Sequence, residues 1–305
     1  MPPSIGFPSI WVQLKGGLGN QMFQYAAGRA LACRHGARLG LDLSWFGDMA
    51  GATSREYSLG MFPLCESLSI SNVAVGAAEP ARGWRGLLSR RRPQSATPFA
   101  LAVINETEAR SAEAFATLPE RVLLSGYWQS ELYFRSIAET LVEEFALPPL
   151  PSGHSQNLRL AIERADNAVA VHVRRGDYVY SDRVRSVHGG CCTPAYYRRA
   201  IELICSRHAR PYVFVFSDDP KWVRANFDFC GTAGTVVDLV ELGIQPHYDM
   251  HLMSLCRHHV IANSSFSWWG AWLARSDGIV CAPARWFADV ADDNSERCPK
   301  DWIRL

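Results

Sequence analysis

The sequence has little of what would tie a chain to nucleic acid, a bilayer or a metal. Thirty-one basic residues against 30 acidic ones leave a formal net charge of +1 over 305 residues. There is thus no global field to attract nucleic acid or an anionic membrane surface, and any polyanion chemistry must be local. No apolar run approaches the ~20 residues needed to span a bilayer. The opening, MPPSIGFPSIWVQLKGG, lacks a basic segment followed by an apolar one, so no signal peptide is expected. The nine cysteines are odd in number and without CxxC spacing, and only Cys191 and Cys192 are adjacent. That pattern suits reduced thiols in a cytoplasm and gives no zinc site. The dinucleotide fingerprint is also missing: after Gly17 and Gly19 the third glycine would fall at position 22, which is Met22.

What remains is a globular composition, 48% hydrophobic and 20% charged, and a length that suggests two domains. The best boundary is Leu147 to Gly153, LPPLPSG, whose prolines favour an extended path. It divides the chain into residues 1–150 and 151–305. Beyond it strands and helices alternate: strands at Ala168–Val173, Tyr212–Phe216, Thr235–Leu239, His259–Ala262 and Ile279–Ala282, with helices at Pro194–Arg207, after Pro220, at Tyr248–Cys256 and at Trp268–Arg275. Such alternation argues for α/β units with a parallel sheet covered on both faces.

The first half opens in the same manner. A strand at Ile10–Leu14 runs into Lys15-Gly16-Gly17-Leu18-Gly19-Asn20-Gln21 and a helix from Met22 to His35. Glycines let a ligand approach the backbone, and the helix start offers unpaired N–H groups. Strands are expected again at Arg38–Leu43, which carries Asp42, and at Arg121–Gly126, with a helix over Ser130–Phe145. The basic run Arg90-Arg91-Arg92 sits in a glycine- and proline-containing stretch, residues 80–98, that reads as a solvated loop.

Three polar clusters follow predicted strands of the second half: His172-Val173-Arg174-Arg175-Gly176-Asp177, Ser217-Asp218-Asp219, and Asn263-Ser264-Ser265-Phe266-Ser267. In a parallel sheet all three gather at the carboxyl edge, where ligands of open α/β sheets bind. Guanidiniums there suit phosphate, serines at a helix start suit phosphate oxygens, and an aspartate can accept from a ribose or a base. Asp218 and Asp219, followed by Pro220, equally suit a helix cap, and one residue can do each. The adjacent acids do not have the Asp-X-Asp spacing of a metal clamp. Together the clusters point to a nucleotide diphosphate held without a metal. The Arg175-Gly176-Asp177 tripeptide also matches a cell-adhesion signal, but it directly follows a buried strand.

Four segments resemble the bacterial α-1,2-fucosyltransferases of glycosyltransferase family 11: GGLGNQMFQYAAGRALA (Gly16–Ala32), HVRRGDY (His172–Tyr178), FSDDPKWV (Phe216–Val223) and YDMHLMSLCRHHVIANSSFSWWGAWL (Tyr248–Leu273). The likeness spans most of the chain and is weakest over Gly47–Arg121. It implies a GT-B type fold, with two facing Rossmann-like domains, the first on the acceptor side and the second binding GDP-β-L-fucose. It implies inverting transfer of fucose to the 2-hydroxyl of a β-galactoside in a cell-surface glycan, with no cofactor and no metal.

By the same resemblance Arg174 would neutralise the diphosphate with His172 beside it. Asp218 or Asp219 would hold guanine or ribose. Ser264, Ser265 and Phe266 would line the phosphates and base, and Gly17, Gly19, Asn20 and Gln21 would face the fucose and pyrophosphate. Asp177 is the first candidate for the catalytic base, with Asp42 and His172 behind it. A fucosyl linkage of α-1,3 or α-1,6 type stays open, as does peripheral contact with the inner membrane; a dinucleotide oxidoreductase and a non-enzymatic glycan-binding protein are the readings from other classes.

Overall fold

The computed structural model describes residues 8–47, 55–72, 101–176, 185–187, 189–239, 242–288 and 295–305. The chain divides into two compact units, Met1–Glu144 and Phe145–Leu305. Both are α/β, each built on one parallel sheet, as the alternating pattern predicted.

In the first unit the strands are β1 (Ile10–Gln13), β2 (Leu39–Asp42), β3 (Ser69–Ser71), β4 (Ala102–Asn105) and β5 (Val122–Ser125), in the order β3-β2-β1-β5-β4. The helices are α1 (Leu18–His35), α2 (Ala112–Ala116) and α3 (Ala138–Glu144). The chain builds outward from β1 to β3 and then returns to the other side of β1. That reversal places a switch point between β1 and β5, where a crevice opens beyond the strand ends. Helix α1 is buried along most of its length, with Met22, Phe23, Tyr25, Ala26 and Leu31 in the core. Its far end is tied to α3: the buried Glu144 carboxylate accepts from Tyr25 Oη at 2.7 Å and pairs with Arg29 at 2.8 Å.

The second unit runs α4 (His154–Arg164), β6 (Asn167–Val173), α5 (Pro194–Arg207), β7 (Pro211–Ser217), α6 (Pro220–Asn226), β8 (Gly234–Val236), α7 (His247–Ser254), β9 (His258–Val260), α8 (Ser265–Leu273), β10 (Val280–Ala282) and β11 (Ile303–Arg304). Its sheet order is β11-β10-β9-β6-β7-β8. Strand β6 is central and nearly all apolar, as a strand covered on both faces must be. Val169, Val171 and Val173 face a core that includes Tyr196, Ile201 and Ile204 of α5. Ala168 and Ala170 face one made with Leu158 and Ile162 of α4 and Leu252 and Met253 of α7. The period-two alternation puts His172 on the second of these faces.

Phe145 meets Trp269 edge-on at 5.1 Å, Pro148 O accepts from His251 Nδ1 at 2.9 Å, and Leu150 is buried in the α4–α7 core. The proline-rich stretch is therefore packed on the second unit, and the division falls before it. Trp269 belongs to an indole cluster with Trp268, Trp272 and Trp302, with ring separations of 5.0 to 6.1 Å. No described helix is long and apolar enough to cross a membrane.

Candidate functional site

In the second sheet the chain builds outward from β6 through β7 to β8 and then returns as β9 on the other side of β6. The switch point lies between β6 and β9, and the two segments that leave there are Arg174-Arg175-Gly176 and Asn263-Ser264-Ser265. Because every strand is parallel, the three polar clusters share the carboxyl edge.

Each arginine arrives with its own acid. Arg174 Nη1 lies 2.9 Å from Asp218 Oδ2, both side chains being 24% exposed. The other Asp218 oxygen accepts the Arg175 amide at 2.8 Å. A Cβ on Gly176 would stand 2.3 Å from Asp218 Oδ2, so any larger residue there would have to push the Asp218 carboxylate aside. Arg175 bonds Asp219 Oδ2 at 3.3 Å and lies 3.7 Å above the Trp222 ring. Asp219 also caps α6, its Oδ1 accepting from Trp222 N at 3.1 Å. Ser217 completes the lattice, donating to Val173 O at 2.7 Å and accepting from Asp219 N at 3.0 Å. Of the two expected acids, then, Asp219 is the cap, and Asp218 fixes the loop that carries Arg174.

Behind this edge two buried polar atoms have no partner among the described residues: His172 Nδ1 and Asp249 Oδ1. Burial, with the Arg174 charge adding to it, holds the His172 imidazole neutral, down to about 3. Its ring lies 6.0 Å from that of Phe266, and its carbonyl accepts from Tyr197 Oη at 3.0 Å. Asp249 stands in the first turn of α7, and burial, then the charge of Asp238, pushes its carboxyl up to about 7. Asp238 is itself paired with Arg224. Asn263 is buried, donating to Trp286 O at 3.0 Å and accepting from Cys192 Sγ at 3.5 Å. Ser264 and Ser265 are half-buried at the start of α8, where Ser264 is the N-cap without a side-chain capping bond.

At the switch point of the first sheet, α1 begins at Leu18, four residues before the apolar stripe suggests, because Gly19 and polar Asn20 and Gln21 disguise its first turn. Gly16 is left-handed (φ 78°), and a Cβ there would sit 2.6 Å from Asn20 Nδ2. Gly17 is the N-cap and also has no side-chain capping bond. Asn20 Oδ1 accepts from Gln129 Nε2 at 2.7 Å.

Gln21 is placed otherwise than the resemblance implies. It is wholly buried, its amide donating to Gly16 O and Glu56 O and accepting from Ser58 N, so it staples the glycine turn to residues 56–58. Asp42 is also buried, and its Oδ1 accepts from Ser44 N at 2.8 Å. Asp177 and residues 80–98 lie outside the described residues.

Sequence reasoning missed Asp249, Trp222, Lys15, Glu106 and Tyr127. Asp249 lies within the Tyr248–Leu273 segment, Trp222 within Phe216–Val223 and Lys15 at the start of the glycine turn, whereas Glu106 and Tyr127 stand outside all four segments of the resemblance. Among the described residues no group of three or more His, Cys, Asp or Glu side chains is arranged to hold a metal ion.

The family model described as glycosyl transferase family 11 matches residues 110–305. The chain is 35% identical over 298 residues to an α-1,2-colitosyltransferase of Escherichia coli, covering 97% of this chain and 98% of that protein. It is 31% identical over 310 residues to the O-antigen biosynthesis glycosyltransferase WbnK of Escherichia coli, covering 96% and 99%. A galactoside α-(1,2)-fucosyltransferase 1 of Lagothrix lagotricha is 33% identical over 181 residues, 56% of this chain and 48% of that protein. With its family model matched over more than half its length, the chain belongs to glycosyl transferase family 11.

Proposed function

We propose that the protein transfers L-fucose from GDP-β-L-fucose to the 2-hydroxyl of a terminal β-galactoside in a bacterial cell-surface glycan, with inversion and without a metal. The observation that carries this reading is Arg174, held at the β6/β9 switch point by Asp218 and sharing that point with the serine-bearing start of α8. As the C1–O bond to GDP breaks, positive charge develops on the sugar and negative charge grows on the β-phosphate. A guanidinium already fixed in place stabilises that change with little reorganisation. The backbone N–H groups that open α8 add donors for phosphate oxygens. The two unpartnered buried atoms, on His172 and Asp249, suit the polar edge of a base. The acceptor hydroxyl must give up a proton, for which Asp177 is the proposed base.

The test is transfer from GDP-fucose to a panel of galactosides in EDTA, with the linkage of the product determined. Transfer that survives the chelator and forms an α-1,2 bond supports the proposal. Abolition by EDTA with rescue by Mn²⁺ overturns its metal-free part. The likeness to the colitosyltransferase over nearly the whole chain favours a second reading, in which the donor sugar is colitose. Parallel assays with GDP-colitose decide between them by the ratio of kcat/KM values.

A further inference from the structure

At the carboxyl edge of the first sheet, three adjacent strands deliver three different groups. Lys15 follows β1, Tyr127 follows β5 and Glu106 follows β4. The Lys15 ammonium lies over the Tyr127 ring, 4.9 Å from its centre. The Glu106 Oε2 accepts the Tyr127 amide at 2.9 Å. Tyr127 is nonetheless 42% exposed, an uncommon state for a ring at the mouth of a buried sheet.

The neighbouring backbone is strained to keep it there. Trp128 has φ 53°, a left-handed conformation costly for a bulky residue, while its indole is fully buried. Trp128 Nε1 has no partner among the described residues. The buried indole packs on Phe115 and Tyr133, with ring centres 5.4 and 5.3 Å away, so that Trp128 points inward and Tyr127 outward. A Cβ on Gly126 would meet Glu106 Cβ at 2.7 Å, so the glycine lets the two strand ends close up.

We propose that Tyr127, Lys15 and Glu106 form the binding subsite for a neutral pyranoside, the acceptor sugar of the reaction proposed above, on which this assignment rests. The chemistry selects that class. An exposed phenol ring offers an apolar face for the C–H side of a sugar ring. The carboxylate accepts from hydroxyls and the ammonium donates to them. Their opposite charges cancel, so the subsite has no net attraction for a phosphate or for a cation. Burial lowers the Lys15 ammonium from its ordinary value, and the Glu106 charge opposes that shift.

Saturation-transfer NMR of methyl β-galactoside with the free protein, together with steady-state transfer kinetics, tests the assignment. Tyr127→Ala should abolish saturation transfer and raise the acceptor KM at least tenfold, with the donor KM changed less than twofold. Tyr127→Phe should restore both readouts to within twofold, which rules out misfolding as the cause. Glu106→Gln, nearly isosteric, should raise the acceptor KM three- to tenfold. An unchanged acceptor KM in Tyr127→Ala, or a donor KM that rises in step with it, overturns the subsite. If the wild-type protein binds the glycoside through Tyr127 but neither hydrolyses GDP-fucose nor transfers from it, the subsite stands and the donor reading falls.

Discussion

At the edge of the second sheet both arginines are already engaged: Arg174 by Asp218, Arg175 by Asp219 and the face of Trp222. At the corresponding edge of the first sheet the one lysine rests over a tyrosine ring, and the helix opens on glycines with no capping side chain. The same strand-end geometry thus carries two kinds of surface. In the second unit, cations are held by ion pairs, one to Asp218 and one to the helix cap Asp219, which suits a group whose negative charge grows during reaction. In the first, charge is balanced and the open surface is aromatic and backbone, which suits a neutral ring.

The largest effect expected of breaking this contrast is at Arg174. Arg174→Ala should lower kcat by about 10²–10³ fold, with circular dichroism unchanged, and Arg174→Lys should recover only part of the loss because an ammonium cannot reproduce the planar fork. A wild-type rate in Arg174→Ala would remove the donor assignment. Next comes Gly176→Ala, whose added carbon must displace Asp218 from the loop. A roughly tenfold fall in kcat/KM is expected, and a full rate would show that the Arg174–Asp218 pair is dispensable.

A smaller contrast is visible in the dependence of stability on pH, since all buried histidines among the described residues lie in the second unit. Burial holds His172 and His259 down to about 3, and His258, with the charges of His208 and Arg257 adding to burial, down to about 4. Unfolded imidazoles titrate near 6.5. The unfolded chain therefore binds more protons between these values, and stability is lost as pH falls from about 6.5 toward 3. Asp249, raised to about 7, acts in the opposite sense: its contribution is lost as pH rises from the ordinary carboxylate range through 7. Asp249→Asn should then steepen the rise of the urea midpoint between pH 4.5 and 6.5. His259→Asn should flatten it, and an unchanged slope in both would show that neither group is buried in solution. The smallest effect is expected at Thr193, which caps α5 through Tyr196 N. Thr193→Ala should cost about 1 kcal/mol in denaturant unfolding.

The second sheet was largely legible because Ala168–Val171 and Tyr212–Phe216 are unbroken apolar runs leading into polar clusters. The first was less so. Strands β3, Ser-Ile-Ser, and β4, Ala-Val-Ile-Asn, are short edge strands whose residues are mostly exposed or half-buried, so they carry no burial pattern to read. Helix α4 was missed because only Ser155, Leu158 and Ile162 are buried among its polar residues. The helix foreseen over Ser130–Phe145 is instead two 3-10 turns, Glu131–Tyr133 and Arg135–Ile137, ahead of α3. Of the site, Arg174 was readable from strand-end logic. Asp249 and Glu106 were not, because their roles depend on burial and on neighbours far along the chain. Tyr127 differs from Trp128 only in which way a strained backbone turns each ring.

The indole cluster at α8 has a practical consequence. Four tryptophans so closely spaced exchange excitation energy, so their near-ultraviolet emission will behave as one pooled signal beside those of Trp222 and Trp286. Because α8 opens at Ser264 and Ser265, a nucleotide that settles there would perturb this signal directly, giving a label-free titration of donor occupancy in which no sugar need be transferred.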